Sequence, residues 1–387
     1  LNQSAALGFP TSSSERAREY EEGTVIVAKV GIGIIGTGTI AQSHLTSLRT
    51  AENGQAVAVF DVLGDRAEAT AKQFGIPHVC TSLEDLLKRS DVDAVIVCTP
   101  PFAHAQPTIA ALEAGKHVLC EKPFALDPAE AARMVATADR VGKYLACASA
   151  RNRHSASQTK ARQMLDAGEL GEVYYVRSSQ IRFRGRPGHH IFPQSAWFLD
   201  HDRAGGGAMM DIAVYQIDSV LFLLGNPKVV SVSAQIRQFT EEKPPSGVKQ
   251  DVEDHVVILI NCEGGKAALV EATWVSNMRG AEGTWIYGTK AGLRLDPLTK
   301  ITAERVGADE NVRTPWMSDE TYRPVETQIF PNEMYARMQS GDVTKGFVDA
   351  LAAGRQPWTP GKDALEVTRV IDAAYKAAAE NRVVVLA

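Results

Sequence analysis

The chain has 387 residues, more than the roughly 250–300 that one hydrophobic core usually serves, so two domains are expected. Its 46 acidic and 41 basic residues give a net charge of −5, with no basic block resembling a nucleic-acid footprint, which argues against nucleic acid and favours a small neutral or weakly charged substrate. No apolar run approaches the roughly 18–20 residues of a membrane span, so no membrane partner is expected. Five scattered cysteines (Cys80, Cys98, Cys120, Cys147 and Cys262) form no C-x-x-C pair and read as small core hydrophobes of a cytoplasmic protein.

Residues 1–28 are polar, do not begin with Met and lack the basic start and apolar core of a signal peptide; a flexible N-terminal arm or tag remnant is expected there. From 29 to 150, β-rich runs (29–36, 55–61, 94–100, 116–123 and 143–150) alternate with helical patterns (65–75, 82–90, 104–115 and 127–142). That alternation predicts βαβ units and a parallel sheet. Beyond 150 a helix over 155–168 leads to longer alternating strands at 172–183, 228–239, 254–261, 266–275 and 284–289, with a hairpin turn at Glu263, Gly264 and Gly265. This predicts a large, mostly antiparallel sheet with helices on one face and a second subunit on the other. Residues 303–335 show little periodicity and predict a long surface loop, after which helices over 343–354 and 363–380 close the chain.

The stretch "GIGIIGTGTIAQSHL" (31–45) passes from an apolar strand through a glycine turn into a helix. Gly36, Gly38 and Ala41 match G-x-G-x-x-A: a tight turn, a close backbone approach to phosphate, and close helix–strand packing. The unpaired N–H groups of the helix start suit an anion, which places Gly36, Gly38, Thr39 and Ile40 on a pyrophosphate. Asp61 follows Ala41 by 20 residues, the interval of a carboxylate that accepts from ribose hydroxyls. A carboxylate there repels a 2′-phosphate, so NAD is favoured over NADP, with Arg66 keeping NADP open. The plainer reading is an Asp that only opens the turn "DVLGD".

"CTPPFAH" (98–104) and "HVLCEKPFAL" (117–126) end successive strands, where open parallel sheets bind ligands. Thr99, Pro100, His104 and Glu121 are expected on the cofactor, with Thr99 and His104 on the nicotinamide side. Lys122 can donate to a substrate hydroxyl and favour its alkoxide as hydride leaves, and Pro123 keeps Lys122 out of the helical region. In "GGGAMMDIAVYQID" (205–218), Asp211 and Tyr215 are four apart and are expected to share a helix face. The helix is apolar and predicted to be buried, so Asp211 needs a partner: the helix's own start, or a substrate hydroxyl beside Lys122. Tyr215 reads from the residues alone as a packed aromatic with its OH tied to backbone.

The glycine turn, "TPPFAH", the Glu-Lys-Pro triplet and "GGGAMMDIAVY", in this order and spacing, resemble the family of sugar and cyclitol dehydrogenases that includes glucose-fructose oxidoreductase and inositol dehydrogenase. The resemblance runs from about residue 29 to the C-terminus. It implies an α/β fold, with an N-terminal Rossmann dinucleotide-binding domain (29–150) and a C-terminal α+β domain (151–387) for substrate binding and oligomerisation through an open-faced, mostly antiparallel sheet. It implies NAD, with NADP as the alternative, and hydride transfer between nicotinamide and a secondary alcohol or carbonyl carbon of a sugar, cyclitol or related polyol. Lys122, Asp211 and Tyr215 become the catalytic set, with Asp211 on substrate and Tyr215 the proton acceptor, its pKa, ordinarily near 10, expected to be lowered by the Lys122 ammonium; much of the family carries His where this chain has Tyr215, while the glucose-fructose oxidoreductase and dimeric dihydrodiol dehydrogenase branches carry Tyr. The Lys122–Pro123 bond is implied to be cis.

In "RFRGRPGHHIFPQSAWF" (182–198), His189 and Trp197 are expected to line the sugar pocket, with His189 and His190 pointing apart if the chain is extended. Arg153 is expected on substrate, against an even reading of Arg151 and Arg153 as surface arginines. No metal-ligand spacing appears. A homodimer or homotetramer is expected. The rival readings are a non-catalytic dinucleotide- and sugar-binding regulator, an NAD-dependent glycosidase that returns the hydride, and a transhydrogenating enzyme that retains its cofactor.

Overall fold

The computed structural model describes residues 29–238, 244, 246–278, 280, 282–307, 320–330 and 341–386; the expected N-terminal arm lies outside them. The first part of the chain runs β1 (Val30–Ile35), α1 (Thr39–Arg49), β2 (Gly54–Phe60), α2 (Gly64–Phe74), β3 (His78–Val79), α3 (Leu83–Lys88), β4 (Ala94–Val97), α4 (Ala105–Glu113), β5 (His117–Cys120), α5 (Pro128–Val141) and β6 (Leu145–Cys147). The apolar runs of β1, β4 and β5 are buried on both faces, as strands between two helix layers must be. All pairings are parallel, in the order β3-β2-β1-β4-β5-β6. The order reverses between β1 and β4, and the crevice at the carboxyl ends of those strands is where such sheets bind dinucleotides.

The second part contains α6 (Ala156–Asp166), β7 (Val173–Ile181), α7 (His201–Ala204), a π turn at Met209–Ala213, α8 (Val214–Leu224), β8 (Val229–Arg237), β9 (His255–Cys262), β10 (Ala267–Thr273), β11 (Gly283–Gly288), β12 (Gly292–Leu295), β13 (Leu298–Gly307), β14 (Glu320–Gln328), α9 (Val343–Ala352), α10 (Gly361–Glu380) and β15 (Val384–Val385). Nine strands form one sheet in the order β14-β13-β12-β11-β7-β10-β9-β8-β15. Only β7 and β10 pair in parallel; the predicted hairpin joins β9 to β10.

Two expectations are corrected. Part of the predicted 303–335 loop is a strand pair, with Thr299 opposite Gln328 and Gly307 opposite Glu320. The pair was hard to read because charged side chains crowd its alternation and Pro324 interrupts it; β14 is a sheet edge, where a missing N–H is tolerated. The stretch His201–Leu224 is also long and apolar enough, by length and composition, to cross a membrane, but it is buried inside the protein. Its apolar residues, with α6 and part of α10, form the core against the inner sheet face. The α9 residues Val343, Phe347 and Val348 join the core of the first sheet instead. All five cysteines are buried and unpaired, as small core residues should be.

Candidate active site

At the carboxyl edge of β1 the glycine turn has the shape a dinucleotide needs. Gly36 has φ +86°, and a Cβ there would stand 3.0 Å from the backbone of Cys98 and Thr99. A Cβ on Gly38 would meet nothing within 4 Å, so the turn is open on the side from which a phosphate would approach. The helix α1 starts without a side-chain cap and without an acidic residue in its first turn, leaving its N–H groups and positive dipole end for an anion. These residues fit a bound pyrophosphate.

Asp61 lies at the end of β2, 6% exposed, and accepts from the Thr37 backbone N–H (2.7 Å), the Thr37 hydroxyl (3.0 Å) and the Leu63 N–H (2.9 Å). Arg66 closes a 2.7 Å ion pair on it. Burial pushes the Asp61 carboxyl up, but the Leu63, Thr37 and Arg66 bonds outweigh it and hold the group below its ordinary value. Asp61 therefore holds its own turn and pairs with Arg66.

The strand ends after β4 and β5 differ from expectation in two places. His104 is fully buried, with its ring nitrogens 2.7 Å from the Pro123 carbonyl and 2.8 Å from the Thr99 carbonyl. Instead of lining the nicotinamide side, it ties the two strand ends together. Glu121 also turns inward: one oxygen is 2.9 Å from His44 Nε2, the other accepts the Lys122 N–H at 2.9 Å, and His44 Nδ1 lies 2.7 Å from the Thr344 hydroxyl. Burial alone would push Glu121 up, but His44 and the Lys122 amide bring it down to about 2. Thr99 donates its hydroxyl to the Ala103 carbonyl at 2.8 Å, and Pro100 starts the short turn between β4 and α4.

Across the crevice, Lys122 meets the helix that carries Asp211. Its ammonium donates to Asp211 Oδ1 at 2.8 Å and to the Asp211 carbonyl at 2.9 Å, with the Lys122–Pro123 bond cis. Asp211 Oδ2 accepts from Arg182 at 3.0 Å and from the Trp274 indole N–H at 2.8 Å. Burial would pull the ammonium down and the carboxyl up; the ion pair reverses both, so Lys122 is held above and Asp211 below its ordinary range. Asp211 sits in the π turn and Tyr215 in α8, so the single α-helical face expected for them is interrupted between the two. The turn is fixed from outside by Glu253, which accepts from the Gly207 and Met209 N–H groups at 2.9 and 2.8 Å. A Cβ on Gly207 would stand 2.0 Å from the Glu253 carbonyl, so no larger residue could enter here without displacement.

Tyr215 is 5% exposed; its ring centroid lies 5.2 Å from the Lys122 ammonium and 4.1 Å from the Arg151 guanidinium. No hydrogen bond to its hydroxyl occurs among the described residues, so its OH is not tied to backbone there. Burial pushes the phenol above its ordinary value, and this outweighs the downward pull of Lys122 and Arg151. The lowered pKa expected from Lys122 alone is corrected accordingly.

Three pocket-wall assignments separate. Arg153 is 2% exposed and binds Asp218 through two N–H groups (2.8 and 2.9 Å), Asp363 (2.6 Å) and the Trp358 carbonyl (3.1 Å). It is an interior strut and not a substrate ligand; Arg151, exposed and stacked on Tyr215, is the arginine at the cleft. His189 and His190 do not point apart, because residues 187–191 form a tight turn that brings their rings 4.4 Å apart. Trp197 stacks on Phe198 at 3.9 Å, and the Lys122 ammonium lies 5.9 Å from the Phe198 ring. Arg182, Trp274, His44 and Glu253 were not singled out from sequence. Arg182 lies in the Arg- and aromatic-rich segment, which was a signal; the others act across long chain separations that leave no local pattern.

Residues 30–149 match the family model described as "Oxidoreductase family, NAD-binding Rossmann fold", and residues 159–294 match the GFO/IDH/MocA C-terminal domain. A D-glucoside 3-dehydrogenase of Escherichia coli strain K12 is 32% identical over 279 residues, 69% of this chain and 77% of the relative. The chain belongs to the GFO/IDH/MocA family of oxidoreductases. An inositol 2-dehydrogenase of Rhizobium meliloti strain 1021 is 25% identical over 92% of this chain and 99% of the relative. In fold, the chain is similar to a levoglucosan dehydrogenase solved with NADH and levoglucosan, with a TM-score of 0.74 at 22% identity over 92% of this chain and 99% of that one. GFO/IDH/MocA membership makes the chain an oxidoreductase whose residues 30–149 form an NAD-binding Rossmann fold.

Proposed function

We propose that this chain is an NAD(P)-dependent oxidoreductase of sugar or polyol CH–OH groups in which Lys122, Asp211 and Tyr215 carry the proton and charge handling. The reading rests on one observation above all: an ammonium locked to a carboxylate at 2.8 Å, beside a tyrosine whose hydroxyl no described residue claims, at the ligand-binding edge of the parallel sheet. NAD, when bound, exchanges hydride with the carbinol carbon. Lys122 donates to the substrate oxygen and steadies the charge that develops on it. Asp211 fixes Lys122, and Arg182 and Trp274 fix Asp211. Tyr215 carries the proton: as the phenol it donates to the oxygen during carbonyl reduction, and as the phenolate it accepts the hydroxyl proton during alcohol oxidation. Its raised pKa sets the resting enzyme up as the donor and makes oxidation gain with pH.

Residues 29–150 are read as the dinucleotide-binding domain and 151–387 as the substrate-binding and oligomerisation domain, with α9 crossing back onto the first. The outer face of the large sheet exposes Leu259 and Tyr287, which favours a homo-oligomer built through it in a reducing cytoplasm. Lys122→Met tests the assignment. Turnover is expected to vanish while NAD still raises the melting temperature; undiminished turnover would remove Lys122 from the chemistry.

A further inference from the structure

The Glu-Lys-Pro strand end is backed by side chains to which the proposed chemistry gives no part. His44, on α1, is 3% exposed. Its Nε2 lies 2.9 Å from one Glu121 oxygen and its Nδ1 2.7 Å from the Thr344 hydroxyl on α9, while the second Glu121 oxygen accepts the Lys122 N–H at 2.9 Å. His44 thus gathers elements 77 and 300 residues away from it in the chain around one buried carboxylate. One arrangement satisfies every atom: Nε2–H donates to Glu121, and Nδ1 accepts the Thr344 hydroxyl hydrogen. As a plain tie between α1, the β5 strand end and α9 this is a poor choice, because packed apolar side chains would join the same elements without burying a charge.

The charge acts on what surrounds it. Besides His44 and Lys122, the titratable groups that feel Glu121 on its inner side are His104 and the thiols of Cys98, Cys120 and Cys147. Burial holds that imidazole below and those thiols above their ordinary values, so all four are neutral near neutral pH and none offsets the carboxylate. On the crevice side the charged groups around Tyr215 are the cations Lys122 and Arg151 and the anions Glu121 and Asp211. Burial raises the Tyr215 phenol most, the two cations pull it down, and the two carboxylates push it up. Asp211 is bonded directly to Lys122 and Arg182, whereas the bonds of Glu121 are to an imidazole and a backbone N–H.

We propose that His44 is a positioning residue: it holds Glu121 as a carboxylate whose charge anchors the Lys122 main chain and opposes formation of the Tyr215 phenolate, so that a buried side chain of α1 sets the pH range of the reaction. The inference rests on the proposed role of Tyr215, and its first half is read without turnover. Infrared difference spectra of the chain, taken without substrate, report the state of Glu121. In His44→Leu a buried carboxyl deprived of its imidazole is expected to take up a proton and show a carboxylic-acid C=O band between about pH 5 and 7. The parent, in which Glu121 is brought down to about 2, should lack the band, as should the double variant with Glu121→Gln. His44→Gln, whose amide nitrogen can stand where Nε2 does, should keep the carboxylate. The second half is read from the rate of alcohol oxidation against pH. Loss of one negative charge favours the phenolate, so the alkaline limb should move to lower pH by about half a unit or more in Glu121→Gln and His44→Leu, and stay in place in His44→Gln. A packing defect would lower the rate at every pH without moving the limb. A His44→Leu chain that melts normally and shows no C=O band would overturn the proposal; so would an unmoved limb in Glu121→Gln, which decides the matter even where His44→Leu does not fold. A limb that persists in Tyr215→Phe would overturn Tyr215 as the proton carrier and the pH half with it, while the infrared result would still decide whether His44 holds the charge.

Discussion

Replacing Arg153 by methionine tests its assignment as an interior strut. Arg153 joins the loop before α6 to Asp218 on α8 and Asp363 at the start of α10. Asp218 is 1% exposed and accepts from two N–H groups of Arg153, whereas the Asp363 side chain is 23% exposed and also accepts from Asn226. Methionine fills much of the space beside Phe222 but leaves Asp218 as a buried charge without a partner. Breaking one side of such a pair costs about 3–5 kcal/mol. At roughly 2–4 °C per kcal/mol for a domain of 150–250 residues, the melting temperature should fall by about 6–20 °C. The double variant Arg153→Met with Asp218→Asn removes the stranded charge and should recover more than half of the loss. Thermal and urea unfolding followed by circular dichroism measure both. A single variant within about 1 kcal/mol of the parent, with a hundred-fold loss of kcat/KM, would refute the strut and return Arg153 to the substrate.

Tyr215→Phe should lower turnover by about 10²–10⁴-fold, the usual worth of a positioned acid or base. In the parent, oxidation should climb with pH past neutrality, because burial raises the phenol, and that limb should be missing in Tyr215→Phe. Glu121, depressed from 4.5 to about 2, stabilises the folded chain above its unfolded pKa; this contribution, on the order of 3 kcal/mol, should be lost as pH falls from about 4.5 towards 2. Acid unfolding of Glu121→Gln, compared with the parent, should lack that component. Asp61→Ser frees Arg66 and removes a carboxylate that repels a 2′-phosphate. The NADP-to-NAD ratio of kcat/KM should rise about ten-fold or more, in line with one charge-assisted hydrogen bond, and an unchanged ratio would show that Asp61 does not set cofactor choice.

The parallel sheet was legible because its signals are local: apolar runs of strand length, helical periods and glycine ends follow each other within a few residues. The glycine turn and the Glu-Lys-Pro strand end were found for the same reason. His104 and Glu121 were placed on the correct strand ends but on the wrong side of them, since sequence gives the position of a side chain along a strand end and not the direction in which a non-regular backbone turns it. Arg151 and Arg153 could not be told apart because the partner that buries one of them, Asp218, lies 65 residues away. The Tyr215 helix was legible as buried, but the pKa expected for Tyr215 weighed only the Lys122 cation, and burial is the larger effect. The strands β13 and β14 were missed where polar alternation hides a sheet edge.

The most direct test of the central claim follows absorbance at the NADH band while the chain is mixed with NAD and a panel of sugars, glycosides and inositols from pH 7 to 10, with nucleotide binding checked by thermal shift. Net NADH formation with at least one polyol, rising with pH and lost in both Lys122→Met and Tyr215→Phe, is the predicted result. Bound nucleotide with no net absorbance change at any pH would contradict it and point to a sensor or to an enzyme that returns the hydride within one cycle.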